Sequence, residues 1–276
     1  MSTSNRQTLI NKTFKVLRKH YEPVAPPSDR SVLEHLLYAC CLENAKHESV
    51  DEVFAKLEQS YFDWNEVRVT TVAELAEMMS ILSDAAEAAQ RLKRGLQGVF
   101  ETHYSFDLEF LHKQNLGKAI KEVKRFSGVT RFAVSYVTQN ALSGHSIPVN
   151  QGVFSVFEVL GVMTHAEAAK KRVPGLERAI PKSKGVEFGS LLHQFGVDFA
   201  TTPFSPRIRS VVLEIAPDAK DRLPKRGAKK VSATTQTQEK KTKAAPTPSR
   251  QKKTQNADSA SKKKSPTKRL TRKKPR

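Results

Sequence analysis

The chain has 276 residues, 47 Lys or Arg against 28 Asp or Glu, a formal net charge of +19 and 38% hydrophobic residues. That length supports one sizeable core or two closely packed lobes, and the charge favours a polyanionic partner. Two cysteines and the lack of a long apolar run argue against a disulfide-stapled scaffold and a membrane-spanning protein.

In chain order, the N-terminus is polar from Ser2 to Gln7 and carries no signal-peptide pattern, which predicts a reducing setting: cytoplasmic and nucleoid-associated, or nuclear in a eukaryote. Ser31 to Ala45 (SVLEHLLYACCLENA) reads as an apolar helix, with Cys40 and Cys41 as small core residues whose adjacency rules out an ordinary disulfide. Val50 to Tyr61, Val72 to Leu82 and Ala85 to Phe100 carry apolar residues at three- and four-residue intervals. Between the first two of these, Trp64 is expected to be mostly buried, fastening a loop between helices, with stacking on an exposed base as the alternative. Asp107 opens a short acidic-first segment, and a helix is predicted from Asn115 to Arg125. After a turn, another begins near Arg131. Val153 to Leu160 reads as a buried helix ended by Gly161, and Thr164 with Glu167 forms a capping-box pair. Val186 to Phe199 follows, then a last short helix near Arg207 to Ile215, set off by Pro203 and Pro206. No alternating strand pattern or internal repeat is present, so the class is all-α. The eight histidines are dispersed, without a His-x-x-x-His pair or a cysteine partner, so no metal site is expected.

The stretch KRFSGVTRFAVSYVTQNALSGHSIPVNQGV, from Lys124 to Val153, carries the functional signal. A helix runs into a turn at Phe126-Ser127-Gly128-Val129-Thr130, a second helix follows, and Ile147-Pro148-Val149 leads to Asn150, eighteen residues after Phe132. This resembles the helix-hairpin-helix DNA glycosylases, endonuclease III most closely, over roughly residues 8 to 215 and most specifically between Lys124 and Gly161.

The resemblance implies two helical lobes within residues 1 to 215. Lobe A would span about 30–140; lobe B would combine about 1–29 with 150–215. It also implies that Arg125, Ser127, Gly128, Thr130 and Arg131 face DNA phosphates, Gly128 by close backbone approach and Thr130 through its hydroxyl or as a helix cap. Phe132 stands where the family has its lysine nucleophile, and Asn150 where it has its aspartate. A phenyl ring cannot form a Schiff base, and a neutral amide cannot match a carboxylate in stabilising a cationic sugar. Many relatives end in a four-cysteine iron–sulfur loop; here those positions are Ala200, Arg207, Ser210 and Ala216, so no cluster, and no other cofactor, is expected.

Charge is divided unevenly. Residues 220–276 hold 21 basic and 3 acidic side chains, whereas the preceding 219 hold 26 and 25. The segment 216–276, rich in Lys, Pro, Ser, Thr and Ala, is expected to be a disordered tail. Its clusters Lys262-Lys263-Lys264 and Arg272-Lys273-Lys274 suit DNA phosphates, and Thr247-Pro248-Ser249-Arg250 and Ser265-Pro266-Thr267-Lys268 look like linker-histone tail units. Double-stranded DNA is the expected partner, with RNA a second polyanion of the same chemistry; no membrane association is expected, and the chain should be a monomer. Three functions follow as readings. The leading one is a binder of damaged or distorted duplex without efficient excision or lyase activity. The second is a glycosylase/AP lyase using other residues, with Lys124 and Asp198 the nearest by sequence. The third is an architectural protein acting through its tail.

Overall fold

The computed structural model of the protein describes residues 3–27 and 29–225. The tail and its lysine clusters lie outside the described residues. Every regular element within them is helical.

The chain opens with α1 (Thr3–His20) and enters α2 (Val32–Leu42) through a capping box: Ser31 accepts the Glu34 N–H while the Glu34 carboxylate accepts the Ser31 N–H. There follow α3 (His47–Ser60), α4 (Trp64–Val69), α5 (Val72–Met78) and α6 (Ala85–His103), then a 3₁₀ turn at Glu109–Lys113. The hairpin helices are α7 (Leu116–Val123) and α8 (Arg131–Asn140). The chain continues with α9 (Gln151–Leu160), α10 (His165–Ala169), α11 (Leu176–Ala179), a 3₁₀ turn at Lys182–Lys184, α12 (Gly185–Thr201), α13 (Pro206–Ile215) and a 3₁₀ turn at Pro217–Asp221.

Two apolar clusters organise these helices. The first takes its buried residues from Val32 through Val137, so it is built by α2 to α8. At its centre lies α2, packed on α6 and α8; ten of its eleven residues are buried, which is why its sequence is apolar all round and lacks a one-sided stripe. The second cluster draws on Ile10 to Tyr21 and then Ile147 to Leu223. There α12 packs on α9 and α1, and α1 on α13. The chain therefore starts in one cluster, crosses to build the other, and returns.

Three details differ from the sequence expectations. Trp64 is the half-buried first residue of a short helix capped by Asp63, its ring 5.8 Å from Phe54, and so lies in a helix and not in the loop itself, which is confined to residues 61–63; the exposed aromatic of this segment is its neighbour Phe62, 93% exposed. The folded chain also continues past residue 215, where the tail was expected to begin, because Ala216, Ala219 and Leu223 insert into the second cluster. Finally, neither α1 nor α11 has a counterpart in the expected elements. The two cysteines are buried and free as expected, and burial raises both thiols, that of Cys40 to about 12. Among the described residues, no helix is long and apolar enough to cross a membrane.

Candidate functional site

The hairpin is set by local chemistry. Asn115 caps α7 by accepting the Gly117 N–H, Phe126 turns inward against His103, and Thr130 caps α8 by accepting the Ala133 N–H at 3.2 Å. The turn pivots on Gly128, whose φ of +78° lies in the left-handed region and whose missing Cβ leaves room for Arg94. Arg125 pairs with Glu122 at 3.2 Å within its own helical turn. Arg131, the first residue of α8, donates through Nη1 to the carbonyls of Lys170 (2.9 Å) and Lys171 (3.5 Å), so part of its guanidinium is engaged within the fold.

Phe132 and Asn150 converge on one imidazole. Phe132 is 2% exposed; its ring stacks near Tyr136 (6.2 Å) and lies 5.4 Å from the ring of His193 on α12. Asn150 is 1% exposed and is the N-cap of α9, its Oδ1 accepting the Val153 N–H at 2.9 Å. The orientation of its amide is fixed, because Val153 N–H can only donate and the His193 carbonyl can only accept. Nδ2 therefore donates to that carbonyl (3.2 Å) and to His193 Nδ1 (3.1 Å). The other ring nitrogen, Nε2, lies 2.9 Å from the carbonyl of Ala45, just past the end of α2, and must carry the hydrogen. His193 is thus a neutral ring clamped between the clusters, donating on one side and accepting on the other. Burial, then the neighbouring His47, lowers its pKa to about 3.

Close packing of α9 on α12 makes this network possible. A Cβ on Gly196 would collide with Asn150 Oδ1, and one on Gly152 with the Gly196 carbonyl. A cavity of about 60 Å³ lies alongside, bordered by Phe132, Tyr136, Gln139, His47, Ser190 and His193. An apolar cavity of about 150 Å³ is known to admit benzene, so in this conformation the space is small for a nucleobase.

No protein-family model matches the chain. Over 175 residues, 63% of its length, it is 22% identical to a protein of Arabidopsis thaliana named "Putative DNA glycosylase"; the match spans 60% of that protein, less than two thirds of its length. Among solved structures, a non-covalent endonuclease III–DNA complex superposes with a TM-score of 0.54 at 16% identity, covering 80% of this chain and 99% of that one. A trapped endonuclease III–DNA covalent intermediate gives 0.52 at 17% identity, over 81% and 100% of the two chains. A thermostable thymine-DNA glycosylase gives 0.51 at 16%, over 75% and 91%. The chain has the endonuclease III-type DNA glycosylase fold.

Within this glycosylase fold, the four positions aligned to an iron–sulfur loop do not suit a cluster. Ala200 lies in the last turn of α12, Arg207 donates to the His20 carbonyl, Ser210 is exposed and Ala216 is buried in the second cluster. None offers a thiolate, and that end of the lobe closes by aliphatic packing of Ile208, Val211, Val212 and Ile215. Among the described residues no group of three or more His, Cys, Asp or Glu is placed to hold a metal. Of the alternative catalytic residues, Lys124 is the C-cap of α7, while Asp198 accepts from Tyr21 (3.1 Å) and pairs with Lys46 at 3.7 Å.

His193, Ala45 and Gly196 escaped the sequence reading. A signal for the last was present: Gly189 and Gly196 recur seven residues apart on α12, the spacing of a helix face approached closely by its neighbours.

Proposed function

We propose that this chain is a DNA-binding protein related to endonuclease III, which holds damaged or distorted duplex without efficient base excision or AP-lyase activity. The observation that carries this reading is the use of both catalytic positions for packing: Phe132 sits in the first cluster, and the side-chain amide of Asn150 is committed to His193 and to the α9 N-terminus. AP-lyase chemistry needs a free amine within reach of the sugar to form its Schiff base, and the group that stabilises the cationic sugar must bring charge; neither residue meets its requirement. DNA as the partner is supported by the fold, since solved structures of this fold include endonuclease III bound to DNA, and by the hairpin with its left-handed glycine. Competition gel shifts of the full chain on abasic, mismatched and intact duplexes test it. Preference for the distorted duplexes is expected, and equal affinity for all three would sink it.

One observation favours an excision-competent alternative. Lys46 and Asp198 lie 3.7 Å apart, joining the N-cap of α3 to α12, and Lys46 adjoins the residue whose carbonyl holds His193. They bring the amine and carboxylate that Phe132 and Asn150 lack, although Lys46 is ion-paired and largely exposed. Borohydride trapping with Lys46→Ala as the comparison tests this reading, which requires an adduct lost in the variant.

A further inference from the structure

We infer that the exposed turn Lys170-Lys171-Arg172 is a second contact with the DNA phosphate backbone, held beside the hairpin by Arg131. The inference rests on the DNA-binding reading above and specifies a surface that neither the hairpin resemblance nor the tail includes.

All three side chains are exposed, and among the described residues none has a hydrogen-bond or ion-pair partner. Their placement is fixed at several points. The capping box of Thr164 and Glu167 starts α10, the Lys171 N–H donates to the Ala168 carbonyl at 2.8 Å, and Val173 is buried directly after the turn. Lys171 takes a φ of +50°, a left-handed conformation that lysine seldom adopts. Arg131 holds that backbone in place by bonding the Lys170 and Lys171 carbonyls. Because Arg131 is the first residue after the hairpin turn, these bonds bring cations of the second cluster next to the hairpin of the first.

The arrangement gathers Arg131, Lys170, Lys171 and Arg172 in one place. The nearest carboxylate in the turn's own helix, Glu167, is already taken by Arg6 and by the cap of α10. Like charges collected without compensation are unfavourable in the free protein and are relieved by a polyanion. A duplex carries one negative charge per about 1.7 Å of its axis, so a hairpin and an adjacent basic turn can engage phosphates of one backbone together.

The test is a salt titration of the full chain on intact duplex between about 50 and 200 mM, comparing Lys170→Gln/Lys171→Gln/Arg172→Gln with Lys12→Gln/Lys15→Gln/Lys56→Gln, three exposed lysines of α1 and α3. Far-UV circular dichroism confirms that both variants fold. The turn variant is expected to reduce the slope of log K against log salt by about three, the number of phosphate contacts removed, and the comparison variant by less than about one. Adding Arg131→Gln to the turn variant should lower affinity less than it does in the parent, since its tethering role is then void. Equal slopes for the two triple variants overturn the proposal. So does an unchanged DNA slope accompanied by lost binding to polyglutamate, which would assign the turn to an acidic protein. This readout uses intact duplex only. A slope difference with no preference for distorted duplex therefore sinks the proposed function alone, whereas equal slopes with that preference intact sink this inference alone.

Discussion

Replacing Asn150 by aspartate, the residue that the endonuclease III resemblance implies at this position, is predicted to destabilise the protein at neutral pH. Asn150 is 1% exposed and its Nδ2 donates to two acceptors, His193 Nδ1 and the His193 carbonyl. A carboxylate has no hydrogen to give, so it would confront both with a negative charge. Leaving a buried acceptor unsatisfied costs about 1–3 kcal/mol, and an uncompensated buried charge about 3–5 kcal/mol. The N-terminus of α9 returns up to about 2 kcal/mol through the Val153 N–H and the helix dipole. A net loss of at least about 3 kcal/mol follows, or at least about 6 °C in Tm for a fold of this size. The sign of the pH dependence is diagnostic. A proton shared between the introduced carboxyl group and His193 would restore the missing donor, so the Asn150→Asp variant should approach the parent protein as pH falls from about 7.5 to about 5. Urea unfolding of the full chain at both pH values measures the gap. A variant as stable as the parent at the higher pH, or a gap that widens toward the lower, would refute the network drawn around His193.

The parent protein should itself weaken in acid. The folded pKa of His193 lies near 3, below the ordinary value of about 6.5, so its contribution is complete above pH 6.5 and declines as pH falls toward 3, by about 1.4 kcal/mol per unit; His47, also lowered by burial, acts in the same direction. His193→Phe should flatten that slope in urea titrations across about pH 4 to 7. Gly196→Ala drives a methyl into Asn150 Oδ1 and Val153, and should cost at least about 2 kcal/mol, whereas Gly175→Ala, with open space around it, should cost less despite its positive φ. Leu223→Ala should lose about 2–5 kcal/mol by opening the second cluster, a result that distinguishes a folded segment beyond residue 215 from a tail starting there. Phe132→Lys buries an ammonium against Tyr136 and His193 and should destabilise strongly; in combination with Asn150→Asp the loss should be smaller than the sum of the two, because the new charges border the same imidazole. Thermal unfolding of the glycine, leucine and phenylalanine variants beside the parent checks each of these values.

Much of the fold was legible because its helix boundaries are written locally. Thr164 with Glu167, Gly128 and Gly161 each act within a few residues, and apolar spacing supplied the all-α class. Short elements were less readable: α4 carries too few apolar residues to show a period, and α11 has four residues in all. The segment after Ile215 misled by composition, since the charges of Pro217-Asp218-Ala219-Lys220-Asp221-Arg222 resemble the tail, while two small contacts and Leu223 anchor it. The hairpin and the eighteen-residue interval located the site, yet what occupies it is tertiary. His193 meets Asn150 across 43 residues and Ala45 across 148, so no window of sequence could show that the histidine is clamped or that the asparagine is fully engaged.

The reading of Phe132 and Asn150 as packing residues is tested most directly by a single-turnover reaction. Duplex carrying one abasic site is saturated with the full chain and treated with borohydride, and free DNA, bound DNA, covalent adduct and cleaved strand are quantified together. Bound, uncleaved duplex without adduct is the predicted result. A covalent adduct or strand scission in amounts matching the protein would contradict it.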